Sequence, residues 1–343
     1  MKKVMSLILA LVMLISITAC SNNTSGNGST NSPSGVAPNE NPGSGTTPAN
    51  VTISIGSGTS GGAFYMVGAA LAQTIQKYTG YTANSEATGG TSENLRLVSE
   101  ESTTIGMGMC DDIISAYEGR RDYEGEPADN LRVLMAGQTN TFHIIVRADS
   151  DIYTLEDLAG KRISLGPSGA PYFGPDMLEA AVGFVNGKDY TGQYLGHDQA
   201  ADALQNGDID VIICTVAYPS SAYANLALSI DVRFIDLTEA QMQAVLAAHP
   251  AWKNQGVAAG AYEGLTKDTY TPSVPVWLFT YADMEDDVIY NICKSILEHS
   301  EELSTIHADA GKYVTETATE GVGDSGVPMH PGAIRYFEEA GVM

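Results

Sequence analysis

A loop of small residues near position 56 has the composition of a turn that binds anions or cofactors. The segment Gly56-Ser57-Gly58-Thr59-Ser60-Gly61 fits the pattern Gly-x-Gly-x-x-Gly, follows a strand-like run and precedes a helical apolar pattern. A helix that begins at such a loop presents unpaired backbone N–H groups and the positive end of its dipole. The loop therefore predicts a site for a carboxylate or phosphate, and simple chain reversal is the alternative.

Side chains in and just after this loop extend the predicted site. Hydroxyl groups and glycine amides supply hydrogen-bond donors, and two aromatic rings at the helix start can cover the apolar face of an organic ligand. The ligand-binding residues predicted here are Ser57, Thr59, Ser60, Gly61, Gly62, Phe64 and Tyr65.

The same pattern occurs in nicotinamide-dependent enzymes, in which an acidic residue about 20 positions further on binds the ribose. Glu86 ends a second possible strand at about that distance. We disfavour this interpretation, because no convincing set of catalytic residues accompanies the loop. We expect no cofactor, no bound metal and no catalytic residue.

Further loops are predicted to face the same ligand. The donor-rich run Thr88–Asn94 offers Ser92 and Asn94, although Ser92 can equally cap its helix. Asp111 follows a strand, where it can bind a ligand ammonium or cap the next helix. The ligand residues predicted in the second half of the chain are Ser168, Gly169, Ala170, Tyr172 and Tyr218.

The histidines and cysteines form no catalytic or metal-binding pattern. His143 lies in an apolar strand, and His197 and His330 lie in loops before helices, which is typical of packing and capping roles. Three cysteines besides Cys20 are widely spaced in apolar contexts and form no disulfide framework. We expect buried thiols at Cys110, Cys214 and Cys293. An enzyme acting on a small acid is the alternative, and it needs polar residues converging around Asp111 or His197.

The first fifty residues indicate export and tethering. Lys2 and Lys3 precede an apolar run too short to span a membrane, and small residues then lead to Cys20. Residues 1–20 therefore predict a lipoprotein signal peptide with Cys20 lipidated, for example by palmitate. Residues 21–50, rich in Ser, Asn, Gly and Pro, predict a disordered tether. We expect an extracytoplasmic protein, anchored by lipid to the outer face of a bacterial cell membrane.

The formal charge of −24 argues against binding nucleic acid, which needs basic patches. An anionic ligand must be captured locally, by backbone amides or a placed cation, against this overall field.

Alternating strand and helix patterns predict an α/β fold built from two Rossmann-like lobes. The boundaries place lobe I at 51–139 plus 275–343 and lobe II at 140–274, with crossovers near 137–145 and 271–280 acting as the hinge. A ligand cleft is expected between the lobes. Two strands are predicted at 131–136 and 142–147, and one helix at 284–302.

The chain resembles the TAXI-type solute receptors of TRAP transporters from about Ile53 to Gly341. The motifs that carry the resemblance are "GSGTSGGAFYMVGAALA" (56–72), "ATGGTSENLRLV" (87–98), "IIVRADSDIYTLEDLAGKRISLGPSGA" (144–170), "LQNGDIDVII" (204–213) and "MHPGAIRYFEEAG" (329–341). The sequence departs from the family pattern at "GPSGAPYF" and "VAYPSSA", which add bulk to the second lobe.

This resemblance implies a two-lobed fold of the periplasmic binding protein type II kind. It implies a monomer that closes on a small organic acid or amino acid, of the glutamate, glutamine or dicarboxylate class, and delivers it to a TRAP membrane permease. The departures leave the ligand open. Delivery to a sensory membrane kinase is an alternative that the sequence does not distinguish from transport.

Overall fold

A mixed β-sheet with helices on its faces forms the framework of the computed structural model. The structure describes residues 51–60, 62–168 and 171–343. The predicted signal peptide, lipidation site and tether lie outside these residues, as do Gly61, Gly169 and Ala170. Among the described residues, no helix combines the length and apolar character needed to cross a bilayer.

The strands are β1 (Thr52–Gly56), β2 (Thr82–Glu86), β3 (Ile105–Met109), β4 (Leu131–Arg147), β5 (Arg162–Ser164), β6 (Thr191–Gln193), β7 (Val211–Val216), β8 (Val232–Phe234), β9 (Lys253–Asn254) and β10 (Pro272–Tyr281). The α-helices are α1 (Ala63–Thr79), α2 (Thr91–Ser99), α3 (Cys110–Glu118), α4 (Phe173–Val182), α5 (His197–Asn206), α6 (Ser221–Ser229), α7 (Glu239–Ala248), α8 (Asp286–Leu297), α9 (Ser300–Ile306) and α10 (Pro331–Ala340). Short 3₁₀ helices lie at Arg121–Tyr123, Glu156–Leu158 and Ala310–Lys312.

The strand order β2-β1-β3-β10-β4-β7-β5-β6 contains the same arrangement twice. In the first half, β2, β1 and β3 are parallel and β10 runs antiparallel to β3. In the second half, β6, β5 and β7 are parallel and β4 runs antiparallel to β7. From its outer edge inward, the first half has the order β2-β1-β3-β10 and the second half has the order β6-β5-β7-β4. In each half, three parallel strands are followed by one long antiparallel strand.

The strand pairing makes the carboxyl ends of the two parallel sets face each other. Met109, the last residue of β3, pairs with Val276 of β10. Val216, the last residue of β7, pairs with Thr141, which in turn pairs with Ser273 of β10. Ser273 and Val276 are three residues apart, which is about 10 Å along a strand. Loops that leave these ends therefore project into one region.

Two predicted elements differ from the structure. The strands predicted at 131–136 and 142–147 are one strand, β4, because the polar residues between them continue the pairing with β10. The helix predicted at 284–302 is two helices, α8 and α9. The break falls at His299, which leaves helical geometry (φ −126°, ψ 27°) and stacks on Tyr78 with ring centroids 3.3 Å apart.

The apolar core covers both faces of the sheet and includes the fully buried Trp277 near its centre. A second apolar cluster lies around α5 and α6, against β7. The three cysteines of the described region are buried free thiols, which confirms the prediction for them.

Candidate functional site

Asn94 ties together the loops that leave β1, β2 and β3. Its Nδ2 donates to the carbonyl oxygens of Ser57 and Met107, each at 2.8 Å, and its Oδ1 accepts from the Thr88 hydroxyl at 2.8 Å. The side chain is fully buried. Because its amide is fully engaged, Asn94 positions the loops and does not face a ligand in this conformation. The ligand-contact role predicted for Asn94 stays a prediction.

Ser57 is also buried and hydrogen-bonded within the fold, and its contact with a ligand stays a prediction. Its hydroxyl donates to the Ile55 carbonyl at 3.0 Å and lies 2.8 Å from the Ser85 hydroxyl, and its backbone N–H donates to the Glu86 carbonyl. A Cβ on Gly68 would lie 2.1 Å from the Ser57 hydroxyl, so α1 packs directly on this turn. The Ser57 hydroxyl is therefore enclosed between β1, β2 and α1.

The remaining described residues of the first loop are more open. Thr59 and Ser60 are exposed, and Phe64 and Tyr65 are half-buried at the start of α1. The Gly62 N–H donates to the Thr59 carbonyl at 2.9 Å and so closes the turn. Among the described side chains, none caps the N-terminus of α1, which leaves backbone N–H groups there for a ligand.

Ser92 lies in the first turn of α2 and is exposed. The residue before α2 is Gly90, so the alternative that Ser92 caps its helix is wrong. The neighbouring Thr91 hydroxyl accepts from the Met109 N–H at 3.2 Å, which holds the start of α2 against the end of β3.

Asp111 lies inside the first turn of α3 and does not cap it, because Met109 precedes that helix. The Asp111 carboxylate is 3.0 Å from Nδ1 of His249 and 3.9 Å from Nη2 of Arg121. The basic groups that it meets therefore belong to the protein, whereas the sequence predicted a ligand ammonium.

Arg121 is the centre of a polar cluster that joins the two halves of the sheet. Its backbone adopts the left-handed conformation (φ 58°), which is uncommon for a residue other than glycine, and its side chain is only 18% exposed. The guanidinium donates to Asp176 in the first turn of α4 and lies 4.7 Å from the Tyr172 ring. The Arg121 cluster, as we name it, consists of Asp111, Asp112, Arg121, Asp122, Tyr172, Asp176 and His249.

Tyr172 closes this cluster from the second half of the chain. Its hydroxyl donates to Asp122 at 2.5 Å, and this bond raises the pKa of Tyr172 to about 12. Tyr172 and Asp111 are the two predicted ligand residues that the structure brings together, and Arg121 lies between them. The sequence signal for this contact is the rare basic pair Arg120-Arg121 in a strongly acidic chain.

The charges in the Arg121 cluster do not balance. Burial raises the pKa of Asp112 to about 7, although the Arg121 guanidinium opposes that shift. Burial also raises the pKa of Asp176.

Ligand atoms of Asp111, Asp176 and His249 lie within 4.8 Å of one another, a spacing compatible with a metal ion. The Arg121 guanidinium already contacts two of these three groups, so the cluster holds a cation of its own.

A cavity of about 210 Å³ opens beside the cluster. It is lined by residues from both halves of the chain: Asp111, Ile114, Glu118, Arg120, Arg121, Ala248, His249, Pro250, Ala251, Asp324 and Ser325.

The loops of the second half lie at the ends of β5 and β7. Ser168 is exposed in the loop after β5. Tyr218 follows β7 and is half-buried, with the Lys312 ammonium 5.9 Å from the centre of its ring. Lys312 comes from the chain after β10, so Tyr218 gives the two halves a second point of contact.

Polar residues that sequence analysis missed lie on the two long strands where the parallel sets meet. Gln138, Thr141 and Ser273 are fully buried. The side-chain amide of Gln138 and the hydroxyls of Thr141 and Ser273 have no hydrogen-bond partner among the described residues. The sequence signal is the polar run Gln138-Thr139-Asn140-Thr141 inside an apolar strand. We call Gln138, Thr141 and Ser273 the strand-end floor.

The histidines support a structural interpretation. Burial lowers the pKa of His143 to about 4, and its ring bonds the Thr141 carbonyl and the Tyr262 hydroxyl. His330 accepts from the Gly332 N–H at the start of α10, which confirms the predicted capping role.

His197, Tyr223 and Cys214 form a hydrogen-bonded chain with two 2.9 Å contacts. Burial raises the pKa of the Cys214 thiol to about 12, so that thiol is protonated at neutral pH and a poor nucleophile.

Comparisons with known proteins agree with this architecture. The TctC solute binding protein from Polaromonas is 15% identical, with 87% of this chain and 100% of that chain covered and a TM-score of 0.52. A putative periplasmic sulfonate-binding protein, SsuA from Methylobacillus flagellatus, is 12% identical, with 85% and 95% covered and a TM-score of 0.53. These likenesses show the fold, which is the two-lobed α/β fold of type II periplasmic binding proteins. A family model matches residues 55–341, so the chain belongs to the NMT1-like family.

Proposed function

We propose that this protein is an extracytoplasmic receptor that binds a small organic acid or amino acid between its lobes and releases it unaltered. The observation that carries the proposal is the convergence of strand ends: β3 and β7 end within about 10 Å of each other along β10. Ligands of open α/β sheets bind at such carboxyl ends. Fold neighbours named as solute-binding and sulfonate-binding proteins support the same function.

Exposed hydroxyls and free helix amides are the groups that would hold the acid. In the first lobe these are Thr59, Ser60 and the start of α1, with Ser92 nearby. In the second lobe they are Ser168 and, as proposals outside the described residues, the backbone of Gly169 and Ala170. Charge-assisted hydrogen bonds of this kind contribute about 1.5–3 kcal/mol each. The glutamate, glutamine or dicarboxylate class rests on the family resemblance alone.

The proposed lobes are 51–139 plus 275–343 and 140–274, with β4 and β10 as the hinge. The Arg121 cluster then joins lobe I, through Asp111 and Arg121, to lobe II, through Tyr172 and Asp176. Opening the cleft must break these contacts. The cluster is therefore proposed as the closing contact between the lobes.

Delivery to a TRAP permease is proposed from the TAXI resemblance, and anchoring from the signal peptide, lipidated Cys20 and tether assigned to residues 1–50. A sensory membrane kinase is the alternative recipient. A gene for a large fused permease beside this one favours transport, and a gene for a sensor kinase favours sensing.

Calorimetric titration with L-glutamate, L-glutamine, succinate and methanesulfonate tests the binding function. One of these acids should bind, and at one hundred times its Kd it should stabilise the fold by about 2.7 kcal/mol. The double variant Thr59→Ala/Ser60→Ala should weaken binding, whereas the exposed serine variant Ser102→Ala should not. Mass spectrometry should recover the acid unchanged.

Binding of none of these acids, together with no copurifying small molecule, contradicts a receptor function. Conversion of a bound acid that is lost in Asp111→Asn or His197→Gln favours the enzyme alternative.

A further inference from the structure

A register shift in β4 coincides with the level at which β3 ends. Thr139 pairs with Pro275 and Ala136 pairs with Trp277, so Gly137 and Gln138 together oppose the single residue Val276. Val276 also pairs with Met109, the last residue of β3. Bulges of this kind re-aim a side chain and are frequent beside binding sites.

The side chain at this shift is chemically unusual. Gln138 is fully buried, and neither its amide nitrogen nor its amide oxygen has a partner among the described residues. Leaving a buried amide without partners costs about 1–3 kcal/mol. Asn94, an equally buried amide, makes three hydrogen bonds in the same structure. Among the described residues with a buried polar atom and no partner, Gln138 is the one with both of its side-chain polar atoms in that state.

Two hydroxyls about three residues, or about 10 Å, further along the strands are also buried without a partner among the described residues. Thr141 and Ser273 are directly paired across β4 and β10, and both hydroxyls are fully buried and without a partner among the described side chains and backbone. Directly opposed residues of an antiparallel pair lie about 4.5–5.5 Å apart on one face. A polar group of a ligand can therefore reach both hydroxyls at once.

We propose that Gln138 is a specificity-determining residue that hydrogen-bonds the inner end of the bound solute. This inference rests on the proposed receptor function, and it adds which side chain at the base of the proposed cleft binds the solute. Gln138 offers two donors and an acceptor and no charge. The Gln138 amide therefore selects a carboxylate or carboxamide through hydrogen bonds, without a formal charge of its own.

The test uses Gln138 variants that should keep the stability of the ligand-free protein and weaken its binding of ligand. Gln138→Leu keeps the approximate volume and removes both polar atoms, and Gln138→Met is a second variant of different shape. Thr74→Val is the matched control, because the Thr74 hydroxyl is also buried without a partner in the described region but lies within α1. Each protein is titrated with L-glutamate, L-glutamine, succinate and methanesulfonate, and its Tm is measured without ligand.

We expect Gln138→Leu to keep or raise the Tm of the ligand-free protein. It should weaken binding of the acid that wild type binds by about 100-fold, at roughly tenfold for each of the two polar atoms that lose a hydrogen bond. Thr74→Val should bind as wild type does.

Unchanged binding by both Gln138 variants overturns the inference and leaves the receptor function intact. A clear loss of Tm in both Gln138 variants also overturns it, because the amide would then have partners within the fold. If wild type binds none of the four acids and carries no copurified small molecule, the receptor function fails and this inference fails with it.

Discussion

At the scale of single residues, the buried polar groups divide into those that hold the loops and those that are left without partners. Asn94 and His143 belong to the first kind, because each makes every hydrogen bond that its position allows. Gln138 belongs to the second kind. Substitutions should therefore affect stability at the first kind of position and binding at the second.

Replacing Asn94 by alanine should destabilise the protein by about 3 kcal/mol, because the carbonyls of Ser57 and Met107 and the Thr88 hydroxyl lose a buried partner. The exposed Asn84 on β2 is the matched control, and Asn84→Ala should change stability by less than about 0.5 kcal/mol. Urea unfolding of both variants measures the difference. Equal midpoints for the two variants would show that Asn94 does not hold these loops.

His143 should stay neutral in the folded protein down to about pH 4, because burial lowers its pKa from 6.5 to about 4. As the pH falls from 6.5 to 4, the His143 ring binds a proton in the unfolded chain but stays neutral in the folded chain. His143 therefore removes up to about 3 kcal/mol of stability over this range. NMR titration of the histidine rings measures the midpoint, with His143→Gln to assign the signal. A midpoint near 6.5 for His143 would refute its burial.

The sequence predicted which loops are rich in donors but not which donors are free. Ser57 and Asn94 have the residue types of a ligand site, yet their first use is to satisfy the backbone of neighbouring loops. That choice depends on contacts between β1, α2 and β3, which are distant in the chain. Arg121 was missed for a similar reason, since its partners Asp176 and Tyr172 come from the other half of the chain.

At the scale of elements, β4 is the strand that links both halves. Its first part pairs with β10 and its last part with β7 and β8. Gly137 lies at the register shift and lets the Tyr313 ring pack against the backbone of β4, because a Cβ there would lie 2.1 Å from that ring. The ring of Tyr313 is fully buried against this glycine.

Gly137→Ala should therefore destabilise the protein by about 1–3 kcal/mol through overpacking against Tyr313. Gly323→Ala is the control, because a Cβ at Gly323 meets no atom within 4 Å, and its effect should stay within about 1 kcal/mol. Thermal unfolding of the two variants compares them directly. Equal stability of the two alanine variants would contradict close packing at the strand shift.

The alternation of helix and strand patterns predicted the α/β class, which the structure confirms. The polar residues 137–141 interrupt the apolar pattern of β4. Sequence patterns indicate a buried strand by its apolar residues, so β4 was predicted as two separate strands. The boundaries of the lobes stay a prediction.

At the scale of the whole molecule, we propose that opening of the two lobes breaks the contacts of the Arg121 cluster. Asp176→Asn removes the charged acceptor that α4 presents to Arg121. We expect this variant, without ligand, to populate an open form and show a larger radius of gyration by small-angle X-ray scattering. Glu100→Gln is the control, because the Arg96–Glu100 pair lies at one end of α2 and spans no boundary between lobes. Identical scattering from both variants would contradict a closing role for the cluster.

A crystal structure of the protein purified with the small molecule that accompanies it tests the central claim most directly. The account predicts density for a small acid between the strand-end floor and the loops of Ser60 and Ser168, with a polar atom of that acid within hydrogen-bond distance of the Gln138 amide. A small molecule bound elsewhere, for example in the groove of about 710 Å³ between Arg147 and Leu228, with the floor still without a ligand contact, would contradict it.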